Sequence, residues 1–121
     1  YRLMMSWRFP VFVLKKMALV IASFPAVRFI IASINYLAEL QSAIHILHKH
    51  PNAYIETSAM MAFGEIESVV RQVGADRILH GTCIPLQNPA IGPLKIHNAQ
   101  IGKAEKNKIL FENAAGLLKL K

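Results

Sequence analysis

Short apolar, β-branched runs alternate along this chain with longer stretches of helical period, the pattern of repeated strand–helix units. Residues 9–14 (F-P-V-F-V-L) read as a first strand entered at Pro10, and a helix is expected over 15–24. Residues 27–33 (V-R-F-I-I-A-S) read as the second strand. Over 36–50, Leu37, Leu40, Ile44 and Leu47 recur at spacings of three, four and three, an apolar stripe on one helical face that Pro51 stops. Residues 53–58 (A-Y-I-E-T-S) are the third predicted strand. Ile66, Val69, Val70 and Val73 then mark a short amphipathic helix closed by Gly74. A fourth strand is expected at 77–83 (R-I-L-H-G-T-C), then a loop rich in Pro and Asn, a short helix over 94–99 and a final helix over 103–120.

Continuous apolar strands joined by helices predict an α/β fold with parallel strands, because each crossover lays its helix over the sheet. In such folds the ligand site lies beyond the carboxyl ends of the strands. The positions to weigh are therefore Leu14 and Lys15, residues 33–35, residues 56–58 and residues 82–85.

Composition narrows the picture. With 121 residues, 54% hydrophobic and 17% charged, the chain is long enough for one cored domain (1–121) and too apolar for a disordered segment. The charge-free stretch 17–27 falls short of the ~20 apolar residues that span a bilayer, so no membrane partner is expected. Lys and Arg number 14 against 7 Asp and Glu, and the excess gathers where Lys95, Lys103, Lys106, Lys108, Lys119 and Lys121 face only Glu105 and Glu112. Only Phe111 interleaves with them. That leaves a weak pull on nucleic acid or acidic lipid but no stacking platform, so no specific nucleic-acid partner is expected and the lysines read as solvated. One cysteine excludes an internal disulfide framework and a multi-cysteine zinc cage, and fits a cytoplasmic protein. No signal peptide is readable, and Tyr1 is not an initiator methionine.

Glu56 is the one acid near a strand's carboxyl end. It could act as general base, bind a cationic group, or pair with Lys or Arg across the sheet. Ser33, Thr57, Ser58 and Thr82 share the rim as candidate substrate-binding residues, the hydroxyls holding backbone or water rather than attacking, since no histidine backed by an acid accompanies them. Cys83 could be a nucleophile or a soft metal ligand, or a small buried apolar residue; His80, three residues upstream, falls on the other side of an extended strand. His45, His48 and His50 lack the spacing of four with an intervening acid that zinc helices use, and read as a solvated helix end. Asp76 is expected to order a turn, Asn113 to cap or tether a loop, and Met60, Met61 and Phe63 to pack under a loop or line an apolar pocket.

Three stretches, in order and at their spacing, resemble the amidohydrolase-related proteins, the metal-dependent hydrolases and decarboxylases built on a (β/α)8 barrel. H-P-N-A-Y-I-E-T-S (50–58) is similar to the family's helix end and seventh strand. G-A-D-R-I-L-H-G-T-C-I-P-L (74–86) is similar to the eighth-strand motif G-x-D-R-[IL]-[LI]-F-G-[ST]-D-x-P, and K-I-L-F-E-N-A-A-G-L-L (108–118) to the closing helix with its Asn-Ala pair. Residues 9–14 and 27–33 would then be strands five and six. The resemblance implies a partial TIM barrel of about four parallel strands with covering helices. It also implies hydrolysis or decarboxylation of a small organic acid, ester or amide, with Glu56 and Cys83 as the candidate catalytic residues.

A divalent metal such as zinc is implied by the family only. Metal-binding members use a histidine late in strand five, another at the end of strand six and an aspartate in the strand-eight motif, where this chain has Leu14, Ser33 and Cys83. No metal ligand is therefore expected from this region, an aliphatic or hydroxyl group being no substitute for imidazole. The alternative is a non-catalytic barrel relative acting as a binding or interaction protein. Half a barrel leaves open sheet edges, so the expected partners, besides a small-molecule substrate, are the N-terminal half of the barrel or a second copy.

Overall fold

The computed structural model describes residues 11–34 and 38–120. Helix α1 (Val11–Ser23) leads to strand β1 (Phe29–Ile31), helix α2 (Ala38–Lys49), strand β2 (Ala53–Glu56), helix α3 (Glu65–Val73) and strand β3 (Ile78–Leu79). Helix α4 (Ile91–Asn98) follows, then a continuous helical run of α5 (Lys103–Asn107), a π-helical turn (Lys108–Glu112) and α6 (Asn113–Leu118). The strands form one parallel sheet in the order β1-β2-β3, with Ile31 beside Ile55 and Ile55 beside Ile78. No helix among the described residues is long and apolar enough to cross a membrane.

The parallel α/β expectation holds, with three strands rather than four among the described residues. Residues 11–14 open a helix instead of forming a strand. No turn signal separates this apolar run from Lys15, Lys16 and the helix that follows, and a short apolar stretch alone does not distinguish a buried strand from a buried helix. Pro10 precedes the first helical residue, the side of a helix where a missing N–H is harmless; residues 9 and 10 themselves, and Leu37 of the predicted stripe, lie outside the described residues. The last strand is also shorter than the predicted 77–83. The His80 N–H leaves the sheet to donate to the Ile109 carbonyl at 2.9 Å.

Strand alternation divides the sheet into two faces. Ile31, Ala53, Ile55 and Ile78 lie on the helix-covered face and are buried, joined in one core by Leu14, Ile21, Leu40, Ile44, Leu47, Val69, Ile96 and Ile109 from the helices. Each buried Leu or Ile contributes roughly 1.5–3 kcal/mol. The predicted α2 stripe is borne out at Leu40, Ile44 and Leu47, while His45 and His48 point to solvent. On the other face Ile30, paired with Tyr54, is 53% exposed.

Side chains close the amino ends of the strands. Asn52 Nδ2 donates to the carbonyls of Ile21, Phe24 and Val27, tying off the turn into β1. Arg77 donates to the Leu47 and His50 carbonyls at the end of α2. Asn113 Nδ2 donates to the Ala75 and Ile78 carbonyls at 2.7 and 2.8 Å, so the closing helix holds the entry to β3. Asp76 pairs with Lys108 in that same turn, and Gly74 ends α3 at φ +73°. With this end of the sheet occupied by structural bonds, the carboxyl ends are where chemistry is placed.

Candidate functional site

Glu56 is the last residue of β2 and is 9% exposed. Its Oε1 accepts from the Ser33 N–H at 2.6 Å and the Ser58 hydroxyl at 2.7 Å, and its Oε2 accepts from the Ser58 N–H at 2.7 Å. One carboxylate therefore joins the exit of β1 to the exit of β2 through charge-assisted bonds, the strong kind. Among the described residues its oxygens meet backbone and hydroxyl donors, and the salt bridge formed there is that of Lys108 with Asp76. The third strand comes close through Gly81, where a Cβ would fall 1.6 Å from Glu56 Oε2. A glycine is required there by lack of space.

Thr57 and Ser58 are buried, and Thr57 Oγ1 accepts from the Gly81 N–H at 3.3 Å. Ser33, Thr82 and Cys83 are half-buried at the strand exits. Ser33 and Cys83 have φ of +57° and +56°, and the only other described non-glycine residue in that region, Lys119, ends a helix. Left-handed conformation is unfavourable for residues with a Cβ and, where it persists, gathers at functional sites. Cys83 precedes the cis Ile84–Pro85 peptide. Leu14, the remaining member of the set read from the resemblance, is not at a strand end: it lies in α1, 1% exposed, within the core.

Two further groups belong to this rim and were not read from the sequence. Lys95, counted there among the solvated C-terminal lysines, reaches from α4 to donate to the carbonyls of Thr57, Ser58 and Met60 at 2.8, 2.9 and 3.0 Å. Burial lowers its pKa, while the charges of Glu56, Glu65 and Cys83 oppose the shift. His80 has a buried Nε2 with no hydrogen-bond partner, and a Cβ on Gly92 would lie 2.5 Å from it. Burial lowers the His80 pKa, the Lys95 charge lowers it further and Glu56 acts the other way. A lone lysine among apolar residues in I-G-P-L-K-I was the signal available for Lys95; its partners, being backbone carbonyls, leave no trace in the sequence. Met60 is buried, whereas Met61 and Phe63 are exposed and border a cavity of about 170 Å³ that also touches Lys95.

The donor set does not fit the metal that the resemblance implies. Leu14 is away from the strand exits, Ser33 offers a hydroxyl where an imidazole is expected, and Cys83 stands where an aspartate is expected. No group of three or more His, Cys, Asp or Glu among the described residues is arranged to hold an ion. What the rim offers is a buried carboxylate, a half-buried ammonium, a thiol and several hydroxyls.

Comparison with solved structures finds the same scaffold. A 2,6-dihydroxybenzoate decarboxylase, crystallised with 2,6-dihydroxybenzoate, is 32% identical over 57% of this chain and 21% of its own, with a TM-score of 0.53. Amidohydrolase 2 from Bifidobacterium longum subsp. infantis superposes over 89% of this chain and 46% of its own with a TM-score of 0.68 at 20% identity. The chain thus spans less than half the length of either protein. No curated protein matches it. The amidohydrolase family model matches residues 5–120, nearly the whole chain. With that match, the parallel sheet and the strand-eight motif over 74–86 agree: the chain belongs to the amidohydrolase family.

Proposed function

We propose that this chain forms the carboxyl-terminal part of a (β/α)8 barrel that hydrolyses or decarboxylates a small organic acid, ester or amide, with its substrate rim at the exits of β1, β2 and β3. The observation that carries this reading is the convergence there of Glu56 with the two left-handed residues, Ser33 and Cys83. Glu56 acts by holding the exits in place, because its oxygens already accept three bonds. Cys83, half-buried beside the reach of Lys95, is the side chain with chemistry to offer substrate. Ser33, Thr57, Ser58 and Thr82 supply polar contacts. Similarity to a decarboxylase of an aromatic acid favours an acidic, ring-bearing substrate. The exposed Ile30 face is assigned to contact with the rest of the barrel, and the single thiol to a cytoplasmic setting.

The experiment is an assay of the gene product that carries this chain. Carbon dioxide release from 2,6-dihydroxybenzoate and hydrolysis of small aryl esters and amides are measured beside the Cys83→Ala variant. Turnover of one class, reduced about tenfold or more in the variant, is expected if Cys83 meets the reacting group. Absence of turnover on every class sinks this reading and leaves the second, a binding protein on the same scaffold. That second reading is favoured by the full occupation of Glu56 and by cysteine at the aspartate position.

A further inference from the structure

Lys95 is the most unusual cation of the described residues. An ammonium has three protons to donate, and Lys95 gives them to Thr57, Ser58 and Met60, all on the irregular segment by which the chain leaves β2. Ser58 and Met60 are buried, as is Thr57. Three carbonyl oxygens turned onto one point repel one another, and a cation offsets that repulsion; the Thr57 carbonyl accepts from the Met60 N–H as well, at 3.1 Å.

We propose that Lys95 is a tethered cation in a three-carbonyl cradle, and that the cradle becomes a monovalent-cation site when the side chain is cut back. The class of ion follows from the spacing. Calcium takes oxygens at about 2.3–2.6 Å and magnesium at about 2.0–2.1 Å, whereas the cradle holds its oxygens 2.8, 2.9 and 3.0 Å from the ammonium nitrogen. Neutral carbonyls at that separation suit potassium or ammonium with part of its water removed. The surroundings agree, because Glu56 from β2 and Glu65 from α3 both act on Lys95 as negative charges. Lys95 is thus a positioning residue: by fixing the Thr57 and Ser58 backbone it fixes the Ser58 N–H that Glu56 accepts. None of this depends on which reaction the rim performs.

Two measurements test it on the purified protein. In a proton–nitrogen correlation of lysine ammonium groups, Lys95 is expected to give a signal protected from solvent exchange, with couplings across the hydrogen bonds to the Thr57, Ser58 and Met60 carbonyl carbons. Exchange as fast as that of the surface lysines overturns the proposal, and this result needs no variant to fold. In choline chloride, Lys95→Ala is expected to melt about 10 °C below wild type. Potassium or ammonium chloride then recovers most of the loss and draws the His80 titration back toward its wild-type position. Lys95→Met, whose side chain fills the path without a charge, is expected to gain nothing from these salts. A Lys95→Ala melting point no higher in potassium or ammonium chloride than in choline chloride, or an equal gain from these salts in wild type, contradicts the cradle.

Discussion

A single buried carboxylate decides how the strand exits are held together. Glu56 accepts from Ser33 and twice from Ser58 while 9% exposed. Glu56→Gln keeps the shape but turns one acceptor oxygen into a donor facing donors; a loss of roughly 2–3 kcal/mol is expected from the urea midpoint. His80 gives a pH dependence whose sign follows from its lowered pKa. Between that lowered value and the ordinary 6.5, the unfolded chain binds more protons than the folded one. Stability is therefore complete above about pH 6.5 and declines as pH falls through the window, and His80→Asn should flatten the decline. Residue identity made part of this legible. Glu56, Thr57 and Ser58 announce themselves as polar residues ending an apolar run, but the reach of Lys95 to three carbonyls depends on backbone groups that every residue carries.

Among the elements, the closing helix does most to define the end of the sheet. In the π-helical turn the Asn113 N–H bonds back five residues to the Lys108 carbonyl, which frees the Ile109 carbonyl to receive the His80 N–H. The Asn113 side chain then holds the Ala75 and Ile78 carbonyls. Asn113→Ala leaves both without this donor, and a loss of about 2 kcal/mol is expected in denaturant unfolding, with the slope unchanged. Helix periodicity with a stop signal was legible in α2 and α3, where Pro51 and Gly74 mark the ends. Periodicity failed at 11–14, where four consecutive apolar positions include no polar residue to reveal a period. It also failed at β3, cut short by a bond to a residue 29 positions later, between His80 and Ile109.

At the scale of the molecule, β1 and β3 are the edges of the described sheet, and Ile30 opens the uncovered face. Unpaired strand edges favour association, so sedimentation of the 121-residue chain alone is expected to give assemblies, and a stable monomer at all concentrations would speak against the half-barrel. The central claim is that the exits of these strands are held by internal charges, Glu56 and Lys95, and not by a divalent ion clasped by the described residues. Zinc equilibrium dialysis followed by elemental analysis, on wild type and on the Ser33→Ala, Cys83→Ala double variant, tests it most directly. The account predicts equal metal content in the two proteins. One equivalent retained by wild type and lost from the double variant would contradict it.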